Sequence, residues 1–181
     1  MPESFYRKLG TISKKVKIDS KGTEMKINEL REKISGGALS EFAALYPDVE
    51  TAKGRYISLI DGFARLYGED REAVLLSSPG RCELIGNHTD HNNGRVIAGA
   101  VTRDIIAVAS PRSDGVIRLK SEGREECVTS ISESESPDNY ERYKSSALIG
   151  GVIAKFREWG YEVGGFDAYT STEVLAGSGL S

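Results

Sequence analysis

The sequence predicts an α+β domain in which helices come first and a sheet follows. Between residues 26 and 66 apolar side chains recur three and four positions apart, as on one face of a helix. From residue 73 onward they come in short runs interrupted by Gly, Asp and Pro, which is typical of strands and turns. Twenty glycines among 181 residues suit a fold with many turns. These three observations together predict the α+β class.

Three helical segments fill the first part of the chain. The first covers residues 26–34, and the second is a short helix that Pro47 closes. Asp48 is placed as the N-cap of the third helix, which Gly68 ends. We expect the apolar faces of these helices to lie in the core, and we treat residues 1–70 as a helical N-terminal extension. The apolar face of the third helix consists of Ala52, Tyr56, Leu59, Ile60, Phe63 and Leu66.

Strand patterns make up much of residues 71–181, which form the second predicted unit. They are bounded by turn formers such as Asp114-Gly115. A further short edge strand is predicted at Val16 and Ile18, where apolar residues alternate with lysines. The main predicted strands are 73–76, 96–101, 104–109, 116–119 and 165–171.

A fourth helix is predicted over residues 143–159, with Gly160 as its stop signal. Its broad apolar face is expected to be buried, and Trp159 is interpreted as a packing residue. The preceding segment 132–139 is rich in Ser and Glu and is interpreted as a solvated loop. The apolar face of the helix consists of Ala147, Leu148, Val152, Ile153 and Phe156.

Composition and charge argue against several classes of partner. The net charge is 24 − 27 = −3, which does not favour nucleic acid or an anionic membrane surface. No apolar run approaches the roughly 18 residues of a membrane span. The N-terminal sequence MPESFYRKLG does not have the pattern of a signal peptide, and two cysteines do not make a disulfide framework. We expect a cytoplasmic protein without nucleic-acid or membrane partners.

The chemistry is concentrated in residues 78–94, a polar segment that holds both histidines of the chain. Within it, residues 88–91 offer two imidazoles and a carboxylate, which are possible metal ligands. Short amide, imidazole and carboxylate groups also match sugar hydroxyls, and Arg81 supplies a fixed positive charge that suits phosphoryl transfer. In a third interpretation, these residues merely close a turn and Arg81 pairs with Glu83. The residues alone leave all three open.

The last residues, 177–181, form a Gly-rich segment that follows a predicted strand. Such a segment presents backbone N–H groups, which bind phosphate when they point toward one site. Together with the upstream polar segment, it suggests that a hydroxyl-binding site and a phosphate site share one domain.

Two motifs resemble those of a known family. Residues 79–92, PGRCELIGNHTDHN, resemble the galactokinase signature, commonly PGRVNLIGEHTDYN. Residues 174–181, VLAGSGLS, resemble the start of the second motif of the GHMP kinases (galactokinase, homoserine kinase, mevalonate kinase and phosphomevalonate kinase). Both motifs occur in the family's order. The resemblance covers residues 73 to 181.

The resemblance implies a fold, a reaction and site residues. The fold is a ribosomal protein S5 domain 2-like N-terminal domain, and the reaction is phosphorylation of a sugar at its C1 hydroxyl by ATP with Mg²⁺. Arg81 matches the arginine that stabilises the transferring phosphoryl group. The segment that holds the sugar corresponds to Asn87, His88, Thr89 and Asp90. The start of the ATP phosphate loop corresponds to Gly177, Ser178, Gly179, Leu180 and Ser181.

Departures from the family pattern leave the substrate and the activity open. Asn87 stands where galactokinases carry Glu, so a uronic acid such as galacturonate is an alternative to galactose. Glu83, His91 and Leu175 replace the usual Asn, Tyr and Pro. A non-catalytic sensor of sugar and ATP is a further alternative. Because the resemblance stops at the phosphate loop, we expect a truncated N-terminal domain without kinase activity of its own, whose exposed apolar surface favours self-association.

Overall fold

The computed structural model describes residues 24–36 and 39–180. Within these ranges the chain forms a six-stranded mixed sheet in the order β1-β2-β3-β6-β4-β5. The β4–β6 pair is parallel and the other neighbouring pairs are antiparallel. The predicted α+β class is therefore confirmed. The strands are β1 (Met25–Lys26), β2 (Glu72–Ile85), β3 (Ile97–Arg112), β4 (Val116–Ser121), β5 (Glu126–Ser130) and β6 (Gly165–Thr172).

Three helices precede the long strands, as predicted, and a fourth precedes β6. Asp48 caps the third helix, since its carboxylate accepts hydrogen bonds from the Thr51 backbone N–H at 3.1 Å and the Thr51 hydroxyl at 2.7 Å. At the other end, the Gly68 N–H donates to the Ala64 carbonyl at 2.9 Å. Gly68 has a φ of +96°, a region that favours glycine. The helices are α1 (Ile27–Gly36), α2 (Leu39–Leu45), α3 (Val49–Tyr67) and α4 (Ser145–Glu158).

One hydrophobic core joins the first three helices to the sheet. Phe63 and Ile60 of α3 are fully buried in one cluster with Ile106 and Val108 of β3. The approach of α3 to β6 is close at Gly62, where a Cβ atom would stand 2.5 Å from the Tyr169 ring. The predicted apolar faces of the first and third helices are thus confirmed as core, apart from the half-exposed Leu66, whereas Leu45 of the second helix is 61% exposed. The boundary drawn at residue 70 stays a prediction.

The two longest strands extend beyond the sequence prediction. Residues 96–101 and 104–109 were expected to form separate segments, but they belong to the single strand β3. Its partner β2 continues through Pro79 and Gly80 to Ile85 instead of turning at them. The register shifts between Pro79 and Arg81, and such a bulge accommodates a proline that cannot donate a ladder hydrogen bond.

Helix α4 differs from its prediction in burial. Within the described part of the chain, its buried residues are Gly150 and Ile153, so burial of the whole apolar face is wrong. Trp159, expected to pack, is largely exposed. The prediction of a solvated loop over residues 132–139 is wrong, because this segment contains two short 3₁₀ helices and buries Ser134. The exposed apolar side chains of this region are Leu148, Val152, Phe156 and Trp159.

The edge strand at Val16 and Ile18 lies outside the described residues. Across the described ranges, no helix has the length and apolar character that a membrane crossing requires.

Candidate functional site

The polar segment and the Gly-rich segment line one cavity of about 320 Å³. The end of β2 and the turn after it form most of the wall, and Gly179 contributes from the other segment. The structure thus brings together Arg81, Asn87 and His88 with a residue far away in the sequence. The lining consists of Arg81, Glu83, Leu84, Ile85, Gly86, Asn87, His88 and Gly179.

The turn after β2 has an unusual backbone. Gly86 has a φ of +121°, and the next two residues, Asn87 and His88, have φ values of +52° and +56°. Consecutive non-glycine residues in the left-handed region cost about 1–2 kcal/mol each, so the surroundings must hold them there. Both residues are exposed and line the cavity.

Glu83 is one group that holds this backbone. Its Oε1 accepts a hydrogen bond from the His88 backbone N–H at 2.5 Å, and its Oε2 lies 3.9 Å from His88 Nδ1. The sequence predicts Glu83 as a possible partner of Arg81 and not as a residue of the site. The sequence does contain a sign of this role. Glu83 is an acidic residue just before a polar turn, and its side chain is close enough in sequence to reach the backbone amides of that turn.

Thr89 closes the turn through hydrogen bonds of its hydroxyl and its carbonyl. Its Oγ1 donates to the Gly86 carbonyl at 2.8 Å, and its own carbonyl accepts the Gly94 N–H at 2.8 Å. Two glycines are required here: a Cβ at Gly86 would stand 2.6 Å from Val96 Cγ1, and a Cβ at Gly94 would overlap the Thr89 side chain.

The remaining polar residues of the turn follow in a short 3₁₀ helix, Asp90–Asn92. The structure describes the backbone of Asp90 but not its side chain. The rings of His88 and His91 meet edge to face with centroids 5.4 Å apart. Among the side chains that the structure describes, no group of three or more His, Cys, Asp or Glu residues is arranged to hold a metal ion.

Arg81 is exposed at the cavity wall. The structure shows no ion pair or hydrogen bond between the Arg81 side chain and any other described side chain, whereas Glu83 engages His88. The interpretation that Arg81 merely pairs with Glu83 is therefore wrong. Its guanidinium remains available to an anion in the cavity.

The Gly-rich segment follows β6 as a compact turn. The Ser178 N–H and hydroxyl both approach the Leu175 carbonyl, at 3.1 and 2.6 Å. Gly177 and Gly179 have φ values of +77° and +75°, and among the described residues no atom beyond their chain neighbours lies within 4 Å of the place where a Cβ would stand. Both glycines are exposed, so a ligand can reach their backbone. Leu180 is half-buried, and Ser181 lies outside the described residues.

Comparison with known proteins points to one family. Residues 61–111 match the galactokinase galactose-binding signature. Galactokinase of Bacillus subtilis (strain 168) is 35% identical over 125 residues, which cover 66% of this chain and 31% of that protein. Galactokinase of Streptomyces coelicolor is 34% identical over 119 residues, which cover 66% of this chain and 30% of that protein.

The solved structures give the same result. The crystal structure of Lactococcus lactis galactokinase complexed with galactose matches 70% of this chain and 33% of that chain, with 30% identity and a TM-score of 0.63. The chain thus spans about a third of the length of the galactokinases that it matches. The signature, the sequence identities and the shared fold agree with the resemblance of the two motifs. The chain is a galactokinase-like member of the GHMP kinase superfamily.

Proposed function

We propose that this chain carries the sugar-binding and phosphate-binding segments of an ATP-dependent kinase that phosphorylates galactose at its C1 hydroxyl. One observation carries the proposal. The cavity joins the turn of the galactose-binding signature to the Gly-rich segment, and its wall contains the exposed Arg81, which pairs with no side chain that the structure describes. A sugar kinase needs these elements in one place, because the hydroxyl and the phosphoryl group must meet.

The turn would bind the sugar through groups of different character. Asn87 offers an amide that both donates and accepts hydrogen bonds, and His88 offers an imidazole. Asp90 would supply a carboxylate that accepts from two hydroxyls. Thr89 would shape the turn that holds the sugar, because its hydroxyl, its backbone N–H and its carbonyl are all hydrogen-bonded within the turn. A site with this many polar groups would reject analogues that lack the matching hydroxyls.

The Gly-rich segment fits the phosphates of ATP. Because Gly177 and Gly179 are exposed and carry no side chain, phosphate oxygens would be able to approach their backbone N–H groups. The residues that would hold ATP are Gly177, Ser178, Gly179, Leu180 and Ser181. When bound, ATP supplies the phosphoryl group and Mg²⁺ neutralises part of its charge. We assign no described residue as a Mg²⁺ ligand.

Arg81 would stabilise the charge that develops during transfer. A guanidinium that is already in place at the cavity wall needs no reorganisation when negative charge moves across the site. Because no described carboxylate pairs with Arg81, its full positive charge would be available for this role.

Glu83 favours galactose over galacturonate. The neutral Asn87 would tolerate a carboxylate on C6 of the sugar, which supports the uronic-acid alternative. However, the Glu83 carboxylate lines the same cavity and would repel an anionic sugar. Titration calorimetry with both sugars tests this reasoning. We expect measurable binding of galactose and at least about tenfold weaker binding of galacturonate. A preference for galacturonate would overturn the assignment of galactose.

We also propose that the 181-residue chain has no kinase turnover by itself. Among the described side chains that line the cavity, the carboxylate belongs to Glu83, which already accepts the His88 N–H. The Glu83 carboxylate is thus engaged in the turn rather than placed to take the proton of the C1 hydroxyl. An assay of ATP consumption with a panel of sugars tests this, and robust turnover would contradict it. Sugar and nucleotide binding without turnover by the intact protein would instead support the sensor alternative.

A further inference from the structure

A charged cluster connects helix α3 to the residue that directly follows β6, upstream of the Gly-rich segment. The guanidinium of Arg55 contacts two carboxylates at once. Its Nη2 lies 2.9 Å from Asp104 Oδ1 on β3, and its Nη1 lies 3.2 Å from Glu173 Oε2. Glu173 directly follows β6 and stands four residues before Gly177.

The inner half of the cluster is rigid because it is buried and fully bonded. The Asp104 side chain is 3% exposed and that of Arg55 is 16% exposed. Asp104 also accepts hydrogen bonds from the hydroxyls of Tyr46 and Ser77. Burial alone would raise the pKa of Asp104, but these donors and Arg55 together lower it. The carboxylate therefore stays charged and fixes the Arg55 guanidinium.

The outer half of the cluster holds the chain where it leaves the sheet. The Glu173 backbone N–H donates to the Asp104 carbonyl at 2.9 Å, beyond the last register pair of β6. One residue later, the Val174 N–H donates to the Thr172 hydroxyl at 3.0 Å. Gly80 makes room for this path, since a Cβ there would stand 3.0 Å from Val174 Cγ2.

We propose that Glu173 is a positioning residue for the Gly-rich segment. Through Arg55 and Asp104, it fixes the direction in which residues 174–180 leave β6, so that Gly179 reaches the cavity wall that Arg81 shares. The proposal rests on the function proposed above and deepens it. It also gives α3 a role at the phosphate site, although none of its residues line the cavity.

The expected effect follows from preorganisation. A segment that is held in its binding conformation before the ligand arrives loses less conformational entropy on binding. Replacing the Glu173 carboxylate by an amide removes the charge that pairs with Arg55 and leaves the inner pair with Asp104 intact. The segment should then sample more conformations without loss of the fold.

The test uses the Glu173→Gln variant of the full chain, with Arg103→Gln as matched control. Arg103 is the other arginine beside Glu173, at 3.4 Å, but its side chain is 61% exposed. Amide hydrogen exchange of residues 174–180 is measured first. Binding of a non-hydrolysable ATP analogue and of galactose is then measured by calorimetry.

For Glu173→Gln we expect faster exchange in residues 174–180 and roughly five- to tenfold weaker nucleotide binding, with galactose affinity changed less than about twofold. The Arg103→Gln control should stay within about twofold of the wild type on every measure. Unchanged exchange and nucleotide affinity in Glu173→Gln would overturn the proposal. An equal loss of nucleotide and sugar affinity with a lower melting temperature would also overturn it, because it indicates a general structural role.

The same experiment separates this proposal from the function on which it rests. A wild-type chain that binds no nucleotide would refute the proposed function. The hydrogen-exchange comparison would still decide whether Glu173 holds the segment in place.

Discussion

Replacing Asp167 by Asn should destabilise the fold more than an ordinary polar substitution. Asp167 lies on β6 with no exposed surface, and three arginines surround its carboxylate. Arg118 makes two hydrogen bonds to it, at 2.6 and 3.0 Å. Arg112 and Arg71 donate at 3.1 and 3.0 Å. These arginines come from β4, β3 and the residue before β2, so the carboxylate ties separate parts of the sheet together.

The magnitude follows from what the substitution leaves behind. Removing one partner of a buried charge pair costs about 3–5 kcal/mol, because the other charge stays desolvated. Here the three arginines retain 20–33% exposure, so water can replace part of what they lose. We therefore expect the lower end, about 3 kcal/mol in the free energy of unfolding, for Asp167→Asn.

The assay is urea unfolding monitored by circular dichroism, and the free energies of unfolding are compared between variants that share the same m-value. Asp114→Asn is the matched control, since Asp114 also pairs with Arg112 but its side chain is 48% exposed. The control should give a clearly smaller change. A loss of less than about 1 kcal/mol in Asp167→Asn would refute the reasoning, because that is the size of an ordinary substitution.

The pH dependence has a definite sign. Burial alone would raise the pKa of Asp167, but the hydrogen bonds from Arg118 and Arg112 lower it below the usual value. A carboxyl group with a lowered folded-state pKa stabilises the fold above its unfolded pKa of about 3.9 and loses this contribution as the pH falls through the folded value. The free energy of unfolding of the wild type should therefore exceed that of Asp167→Asn by less near pH 3 than at pH 7. A constant difference would contradict this.

Three further predictions concern the turn. Glu83→Ala should weaken galactose binding roughly fivefold, because the His88 N–H loses its acceptor. Glu83→Gln keeps an acceptor oxygen and should bind galactose almost as well as the wild type. Equal galactose affinities of Glu83→Ala and the wild type in calorimetry would argue that Glu83 does not hold the turn. Gly94→Ala should abolish measurable galactose binding, because its Cβ would overlap Thr89, and wild-type affinity would refute the tight closure of the turn. Asn87→Glu should leave galactose affinity unchanged or increase it, because galactose carries no charge that the new carboxylate would repel. A more than tenfold loss would contradict the view that residue 87 affects binding through the charge on C6 of the sugar.

Local signals in the sequence predicted the helices well. Asp48 and Gly68 act within one turn of the helix that they bound, so their effect does not depend on distant residues. The two motifs likewise located the cavity wall, because Arg81 and Gly179 line the same cavity. Neither result required knowledge of the strand order.

What the sequence could not predict depends on distant partners. The continuation of β2 past Pro79 requires the bulge opposite β3, which only pairing creates. A charged Asp167 in an apolar strand pattern gives no sign of the arginines that reach it from other strands. The apolar periodicity of α4 predicts a helix with an apolar face, but not whether another element covers that face.

The place of β6 in the sheet has a consequence for how the chain assembles. This strand is the last of the described sheet to be synthesised, yet it lies between β3 and β4. Until residues 165–172 emerge, the β2–β3 hairpin and the β4–β5 hairpin share no strand ladder, and each presents an unpaired edge. Closure of the sheet therefore waits for contacts between residues far apart in sequence, which slows folding and prolongs the exposure of aggregation-prone edges. Four residues separate this strand from the Gly-rich segment, so the proposed phosphate site and the closed sheet would form in the same late step.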